Sequence, residues 1–168
     1  MYKRTAELAV KNGRRPDSRP NIDKAGARVS WLENRIKHIY DKNPHIKLLQ
    51  MEVAEAKEGT SVLRMPVRRE VHSNLYGGVH GGALASLADT AMGAACISLG
   101  KQVVTQELNI NYIASAGEGE MVTCAAKVRH DGKTTMVVEC EMTDTAGRLL
   151  AVARGTFFVV GQFDFTED

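Results

Sequence analysis

The chain has 168 residues, 43% apolar and 25% charged, a balance that excludes wholesale disorder and points to one domain with one hydrophobic core. Its 22 lysines and arginines nearly cancel 20 aspartates and glutamates, leaving a formal net charge of +2, which argues against a dedicated nucleic-acid binder. The three cysteines, Cys96, Cys124 and Cys140, stand singly among apolar neighbours, which is the pattern of neither a disulfide framework nor a zinc site and fits a reducing cytoplasm.

From Met1 to about Asp23 the chain is polar, carries Lys3, Arg4, Lys11, Arg14 and Arg15, and is punctuated by Gly13, Pro16 and Pro20. It reads as a basic arm with at most a short helix over Thr5 to Lys11, and no apolar run follows that would make it a secretory signal. Ser30 and Glu33 form a capping-box pattern, after which Leu32, Ile36, Ile39 and Tyr40 repeat at helical spacing until Asn43-Pro44, so a helix packed outside the main sheet is predicted there. Two strands, Ile46 to Ala56 and Thr60 to Pro66, are expected around a turn at Glu58-Gly59. A polar loop with Arg68, Arg69, Glu70, His72 and Asn74 leads through Tyr76-Gly77-Gly78 to a long small-apolar stretch from Gly82 to Leu99. That stretch is at the lower length limit for a membrane span and carries Asp89 near its middle, so it reads as a buried helix of a water-soluble protein.

The second half is β-rich. Glu107 to Tyr112 alternates, with Leu108, Ile110 and Tyr112 on one face and Glu107, Asn109 and Asn111 on the other, as a half-buried strand requires. Val122, Cys124, Ala126 and Val128 continue the pattern, Asp131-Gly132 signals a hairpin, and Met136, Val138, Cys140 and Met142 return. Ala146-Gly147 then turns the chain into Leu149 to Val160, completing an antiparallel meander. The order is thus two strands, one long helix and four strands, with the helix lying across one face of the sheet. Because that helix is apolar nearly all round, it needs cover on two sides, most economically from its own sheet and from a second subunit.

Asp89 is the one ionisable residue between Gly82 and Leu99, and Ala85, Ser86, Met92 and Gly93 are its neighbours at helical spacing. An ionised carboxylate in such surroundings is costly unless partners compensate, which marks Asp89 as a candidate catalytic group; its structural alternative is an aspartate hydrogen-bonded across a dimer interface or facing a water channel. His80-Gly81-Gly82 opens the same helix, where unpaired amides aligned with the positive end of the helix dipole can receive a developing oxyanion. A plain tight turn is the alternative there. Asp89 lies about 10 Å along the axis from those amides, too far for one helix to surround one carbonyl with both. Two antiparallel copies related by a two-fold axis bring Asp89 of one beside Gly81 of the other, in two equivalent composite sites. No serine with nucleophile-elbow spacing is present, so a carboxylate has to do the corresponding work.

Asn74, Gly78-Val79-His80-Gly81-Gly82, Asp89, the run Val104-Thr105-Gln106-Glu107-Leu108-Asn109-Ile110-Asn111-Tyr112, and Gly147 to Thr156 together resemble the hotdog-fold thioesterases of the phenylacetic-acid-degradation (PaaI-like) group. The resemblance runs from about Ile46 to Val160. It implies an α+β hotdog fold, an antiparallel sheet wrapped around one long central helix, over residues 44–163, with residues 1–43 forming the basic arm and N-terminal helix outside it. It also implies a cytoplasmic acyl-CoA thioesterase that needs no metal or cofactor and binds neither nucleic acid nor membrane, with a homodimer as the smallest catalytic unit and a homotetramer as the expected assembly. Asp89 would be nucleophile or general base, and the Gly81 amide would polarise the thioester carbonyl. Asn74 and His80 would orient the carbonyl end or leaving group, and Thr105 would hold the attacking water. For His80 and Asn74 the plainer roles are shaping the start of the helix and capping a turn.

Gly82 and Tyr76 are expected near the substrate, and Arg129 and Lys133, flanking the Asp131-Gly132 turn, are candidates for the phosphates of coenzyme A, against the ordinary reading of solvent-facing charge. Tyr76, Met65 and Met92 would line an aryl or an aliphatic acyl pocket equally well. Two other readings share the fold. A dehydratase or hydratase would want a proline-rich segment after its histidine, where this chain has Gly81-Gly82-Ala83, or an aspartate and histidine at another spacing. An acyl-CoA-sensing regulator would want a second well-formed N-terminal helix, which the basic arm does not clearly offer.

Overall fold

A single antiparallel sheet curls around one helix in the computed structural model, which describes residues 24–163. The expected basic arm and its Thr5 to Lys11 helix lie outside these residues. The elements in chain order are α1 (Lys24–Tyr40), α2 (Pro44–Leu48), β1 (Glu52–Lys57), β2 (Thr60–Pro66), α3 (Arg69–His72), α4 (Gly81–Ile97), β3 (Lys101–Tyr112), β4 (Met121–Asp131), β5 (Thr135–Thr143) and β6 (Leu149–Gln162). The six strands are ordered β1-β2-β4-β5-β6-β3, and every neighbouring pair is antiparallel.

This is the α+β hotdog arrangement that the resemblance implied, with three local corrections. Helix α1 begins by Lys24, so Ser30 is inside it and not at its cap. Asn43 starts a helix instead of ending one: its side-chain oxygen accepts from the amides of His45 and Ile46, and Pro44 occupies the first helical position, where a missing N–H costs nothing. The expected strand from Ile46 therefore shortens to β1, because its first residues belong to α2. The third difference is topological. Strands β4, β5 and β6 form the predicted meander, but β3 leaves it and pairs with β6 at the sheet edge.

Helix α4 sits against the concave face and buries Leu84, Leu87, Ala88, Ala91, Met92 and Ala95 among others. Alanine is the best helix former and has the smallest side chain able to fill a contact, so this composition both stabilises the helix and lets the strands approach closely. Buried hydroxyls fix its register along the sheet: Ser61 donates to the Ala91 carbonyl at 2.6 Å, and Ser98 donates to Ala95 at 2.7 Å while accepting from the Gly59 amide at 2.8 Å. Each satisfies a polar group that would be expensive to bury alone. Among the described residues no helix is long and apolar enough to cross a membrane.

Turns follow the glycines. Gly132 closes the β4–β5 hairpin, where an added Cβ would lie 2.4 Å from the Thr135 carbonyl oxygen, so only glycine fits without backbone movement. At the β5–β6 turn, Asp144 accepts from the amides of Ala146 and Arg148 and from the Arg148 guanidinium at 2.9 Å in each case. These bonds, the Arg148 side chain first among them, hold its carboxyl below the usual carboxylate range. With the folded value below the unfolded one, the unfolded chain binds more protons as pH falls between the two, so the stabilisation is complete at neutral pH and is lost through the acid range. Asp144→Asn is therefore expected to lower the melting temperature at neutral pH and to flatten the fall in melting temperature below about pH 4, as read by thermal denaturation across an acid pH series.

Candidate active site

Two groups of candidate residues are built at different places. The first is the Asp89–Thr105 pair. Asp89 is half-buried on α4, and the Thr105 hydroxyl of β3 donates to its Oδ1 at 2.6 Å. The second lies at the start of α4. His80 caps the helix, its Nδ1 accepting from the Gly82 amide at 2.8 Å, while the Gly81 amide donates to no group among the described residues. Gly82 is thus occupied, and Gly81 keeps the free donor at the positive end of the helix.

A β-bulge in β3 brings both groups under the same strand. Thr105 pairs with Phe157 and Glu107 with Thr156, so Gln106 is an extra residue. Strict alternation would send Thr105 and Tyr112 to opposite faces. With one residue inserted between them they share a face, and both reach α4: Thr105 at Asp89, and Tyr112 through its hydroxyl to the Gly81 carbonyl at 2.9 Å. Tyr112 is a functional candidate missed by sequence reasoning, which assigned its face correctly but had no signal for the bulge upstream.

The loop before α4 is held by its own side chains. Asn74 Oδ1 accepts from the amides of Tyr76 and Gly78, and its Nδ2 donates to the Val79 carbonyl at 3.5 Å, so the side chain builds the turn. Beneath it, fully buried His72 accepts from the Arg68 amide at Nδ1 and bonds the Leu49 carbonyl through Nε2, which assigns the ring proton to Nε2. The His80 amide donates to the His72 carbonyl at 2.6 Å, so this buried ring seats the residue that caps α4. Tyr76, at the tip, is 94% exposed and touches no site within its own chain.

A cleft of about 370 Å³ contains Asp89, Thr105, Thr90 and Gly93, with Ile39 and Tyr40 of α1 opposite. Gly81, His80, Asn74 and Tyr76 do not line it. One chain therefore unites Asp89 with Thr105, and separately gathers Asn74, His80, Gly81 and Tyr112, without joining the two. Met65 and Met92 are fully buried in the core and do not line the cleft either. Arg129 is on the outer sheet face, ion-paired with Glu139 at 2.7 Å, and Lys133 is exposed at the hairpin; neither lines the cleft.

Comparison with known proteins places this architecture. Residues 76–151 match the Thioesterase superfamily. The chain is 32% identical to the acyl-coenzyme A thioesterase PaaI of Escherichia coli over 123 residues, covering 73% of this chain and 87% of PaaI. It is 34% identical to a putative esterase of Archaeoglobus fulgidus over 137 residues, covering 81% and 88% of the two chains. The solved E. coli PaaI structure superposes with a TM-score of 0.76 at 30% identity, over 80% of this chain and 97% of that one. This chain belongs to the thioesterase superfamily, in its PaaI-like hotdog group. The enzyme also resembles a Streptococcus pneumoniae thioesterase solved with coenzyme A, with a TM-score of 0.68 at 32% identity over 71% of this chain and 93% of that one.

If His80 acts on this enzyme mainly as a cap, His80→Ala should cost about 1 kcal/mol of stability, a few degrees of melting temperature, and His80→Asn should restore most of it. Comparing the two variants by thermal melting and by thioester turnover separates capping from chemistry: chemistry requires that both lose activity while Asn recovers the stability.

Proposed function

We propose that the enzyme hydrolyses an acyl-CoA thioester to the free acid and coenzyme A, with Asp89 as its catalytic carboxylate in a site shared by two subunits. The observation that carries this reading is the Thr105–Asp89 hydrogen bond at 2.6 Å, which orients a half-buried carboxylate at the edge of a cleft. Support for the substrate class comes from relatives that are acyl-coenzyme A thioesterases and from the coenzyme A bound in the pneumococcal thioesterase. That thioesterase has also been solved with an aspartate, and separately a threonine, changed to alanine, the residue types paired here.

Oδ1 of Asp89 is engaged by Thr105, and the other carboxylate oxygen is free to act as general base toward a water. A water donating one hydrogen to Asp89 and the other to the Thr105 oxygen attacks the thioester carbonyl. The carbonyl oxygen gains negative charge, the carbon–sulfur bond breaks, and the thiolate leaves with the proton returned from Asp89. The Gly81 amide supplies the donor for the developing oxyanion, with Asn74 and His80 forming the loop that presents it and Tyr76 on the exposed tip facing the partner.

The shared site rests on β3. It is a twelve-residue edge strand with exposed Val104 and Tyr112, the kind of long apolar edge that proteins pair or cover. Two copies joined along β3 set their α4 helices side by side and antiparallel, so that Gly81 of one approaches Asp89 of the other.

Asp89→Asn is expected to remain folded and to lose most thiol release from acyl-CoA substrates; retention of wild-type turnover would sink the assignment. Gly81→Pro offers a test of the amide itself. Proline is tolerated at a first helical position, and His80 already has φ −70° and ψ 133°, which suits a following proline. Gly81→Pro should lower the rate ~100- to 1,000-fold. The control Gly81→Ala retains the N–H and meets the same Tyr112 ring, 3.2 Å from its Cβ, and should lose far less. In a mixture refolded from Asp89→Asn and Gly81→Pro chains, mixed dimers regain one intact site, so activity should rise well above that of either parent. A site contained within one chain would give no recovery.

A further inference from the structure

Helix α1 precedes the residues that match the superfamily, yet its last turn forms part of the Asp89 cleft. Asp89, Gly93 and Ile97 lie at successive i+4 positions, a stripe along α4 that all faces this cleft. Tyr40 reaches over the middle of the stripe. Its side chain is buried, its hydroxyl donates to the Thr90 carbonyl at 3.3 Å, and a Cβ added at Gly93 would lie 3.5 Å from that hydroxyl, in ordinary van der Waals contact. No alkyl chain passes through a gap of that size. The phenol therefore divides the cleft into a part beside Asp89 and Thr105 and a deeper part beside Ile97 and Val103.

Apart from Asp89 the wall is uncharged, with Ile39, Ile97, Val103 and Phe157 beside the neutral polar groups of Tyr40, Thr90 and Thr105. Burial, with Cys96 and Asp89 adding to it, keeps the Tyr40 phenol protonated well above its usual range. The carboxamide oxygen of Asn43 is committed to capping α2. Among the described residues no lysine, arginine or histidine lines the cleft, and Asp89 is the one charged residue there. A cavity of about 370 Å³ is at the small end of ligand sites, suited to an acyl group without the nucleotide that follows it.

We propose that Tyr40, carried by the N-terminal helix, is the specificity-determining residue that stops the acyl chain at Gly93, about one helical turn or ~5.4 Å beyond Asp89, so that the enzyme selects short, uncharged acyl groups. This rests on the reading of the Asp89 cleft as the acyl site. Opening the stop exposes the deeper part of the cleft, and adding bulk to Gly93 moves the stop toward Asp89.

The test uses acetyl-, butyryl-, hexanoyl-, octanoyl-, decanoyl- and succinyl-CoA on the full chain. Turnover is measured for wild type, Tyr40→Leu and Gly93→Ala, and dissociation constants are measured for the same changes placed in Asp89→Asn protein, where binding is read without hydrolysis. Gly93→Ala replaces a poor helix former with the best one and keeps the test valid should Tyr40→Leu fold poorly. With Tyr40 and Gly93 intact, the Asp89→Asn protein should bind butyryl-CoA more tightly than decanoyl- or succinyl-CoA. Tyr40→Leu should raise the decanoyl-to-butyryl ratio of kcat/KM by ~10-fold or more, the size of a methylene-scale change in an apolar pocket. Gly93→Ala should shorten the longest chain accepted. A length profile that moves with neither substitution, tight decanoyl binding with Tyr40 and Gly93 intact, or succinyl-CoA bound as well as butyryl-CoA would each overturn the proposal. Absence of turnover with all thioesters would instead remove the catalytic reading, while the binding series would still decide the role of Tyr40.

Discussion

The rest of the site depends on one constraint: a carboxylate has to be kept, ordered and reachable, on a helix that is otherwise apolar. Burying it fully without partners would favour its neutral form, and exposing it fully would surrender the helix face that the sheet needs. The structure resolves this by placing Asp89 at the border between α4 and the edge strand β3, half-buried, with the Thr105 hydroxyl on one oxygen. The edge position matters because an interior strand would seal the carboxylate from water. It also leaves a strand free to pair, so the proposed site and the proposed pairing of two copies would have the same cause.

The bulge at Gln106 is what lets one strand serve both the start and the middle of the helix. Before it, odd-numbered side chains such as Thr105 face α4; after it, even-numbered ones do, ending with Tyr112 at the Gly81 carbonyl. A regular strand of the same length would turn one of the two away, and either the carboxylate or the helix start would lose its hydroxyl partner. The start of α4 is further fixed by the cap from His80, whose own position depends on buried His72 and on the Asn74 turn. The free Gly81 amide is the product of this arrangement, since the neighbouring Gly82 amide is already satisfied.

Helix α1 also closes on this cleft. Sequence reasoning gave the second side of α4 most economically to a partner subunit, and part of that side is covered by Tyr40 from the same chain, hydrogen-bonded to Thr90. The aromatic ring takes up space that would otherwise deepen the cleft. The N-terminal helix thus reaches the cleft that holds Asp89, and the proposed acyl stop would vary with this segment while the Asp89–Thr105 pair stays as it is.

Much of this was legible in the linear chain. The helix Gly81–Ile97, the hairpin at Gly132, the strands that follow and the singular place of Asp89 are all written in periodicity and turn chemistry, because these are local preferences that act within a few residues. The resemblance extended this to the fold and to Thr105. Other features required the tertiary structure: β3 pairing with β6 at the edge, Gln106 as an inserted residue, Asn43 capping the helix after it, and Tyr40 standing over Gly93. Each is decided by which distant segments meet, so the same local pattern is compatible with several outcomes until packing selects one. Alternation in Glu107 to Tyr112 specifies two faces, but only the sheet and helix together decide which residues upstream share them.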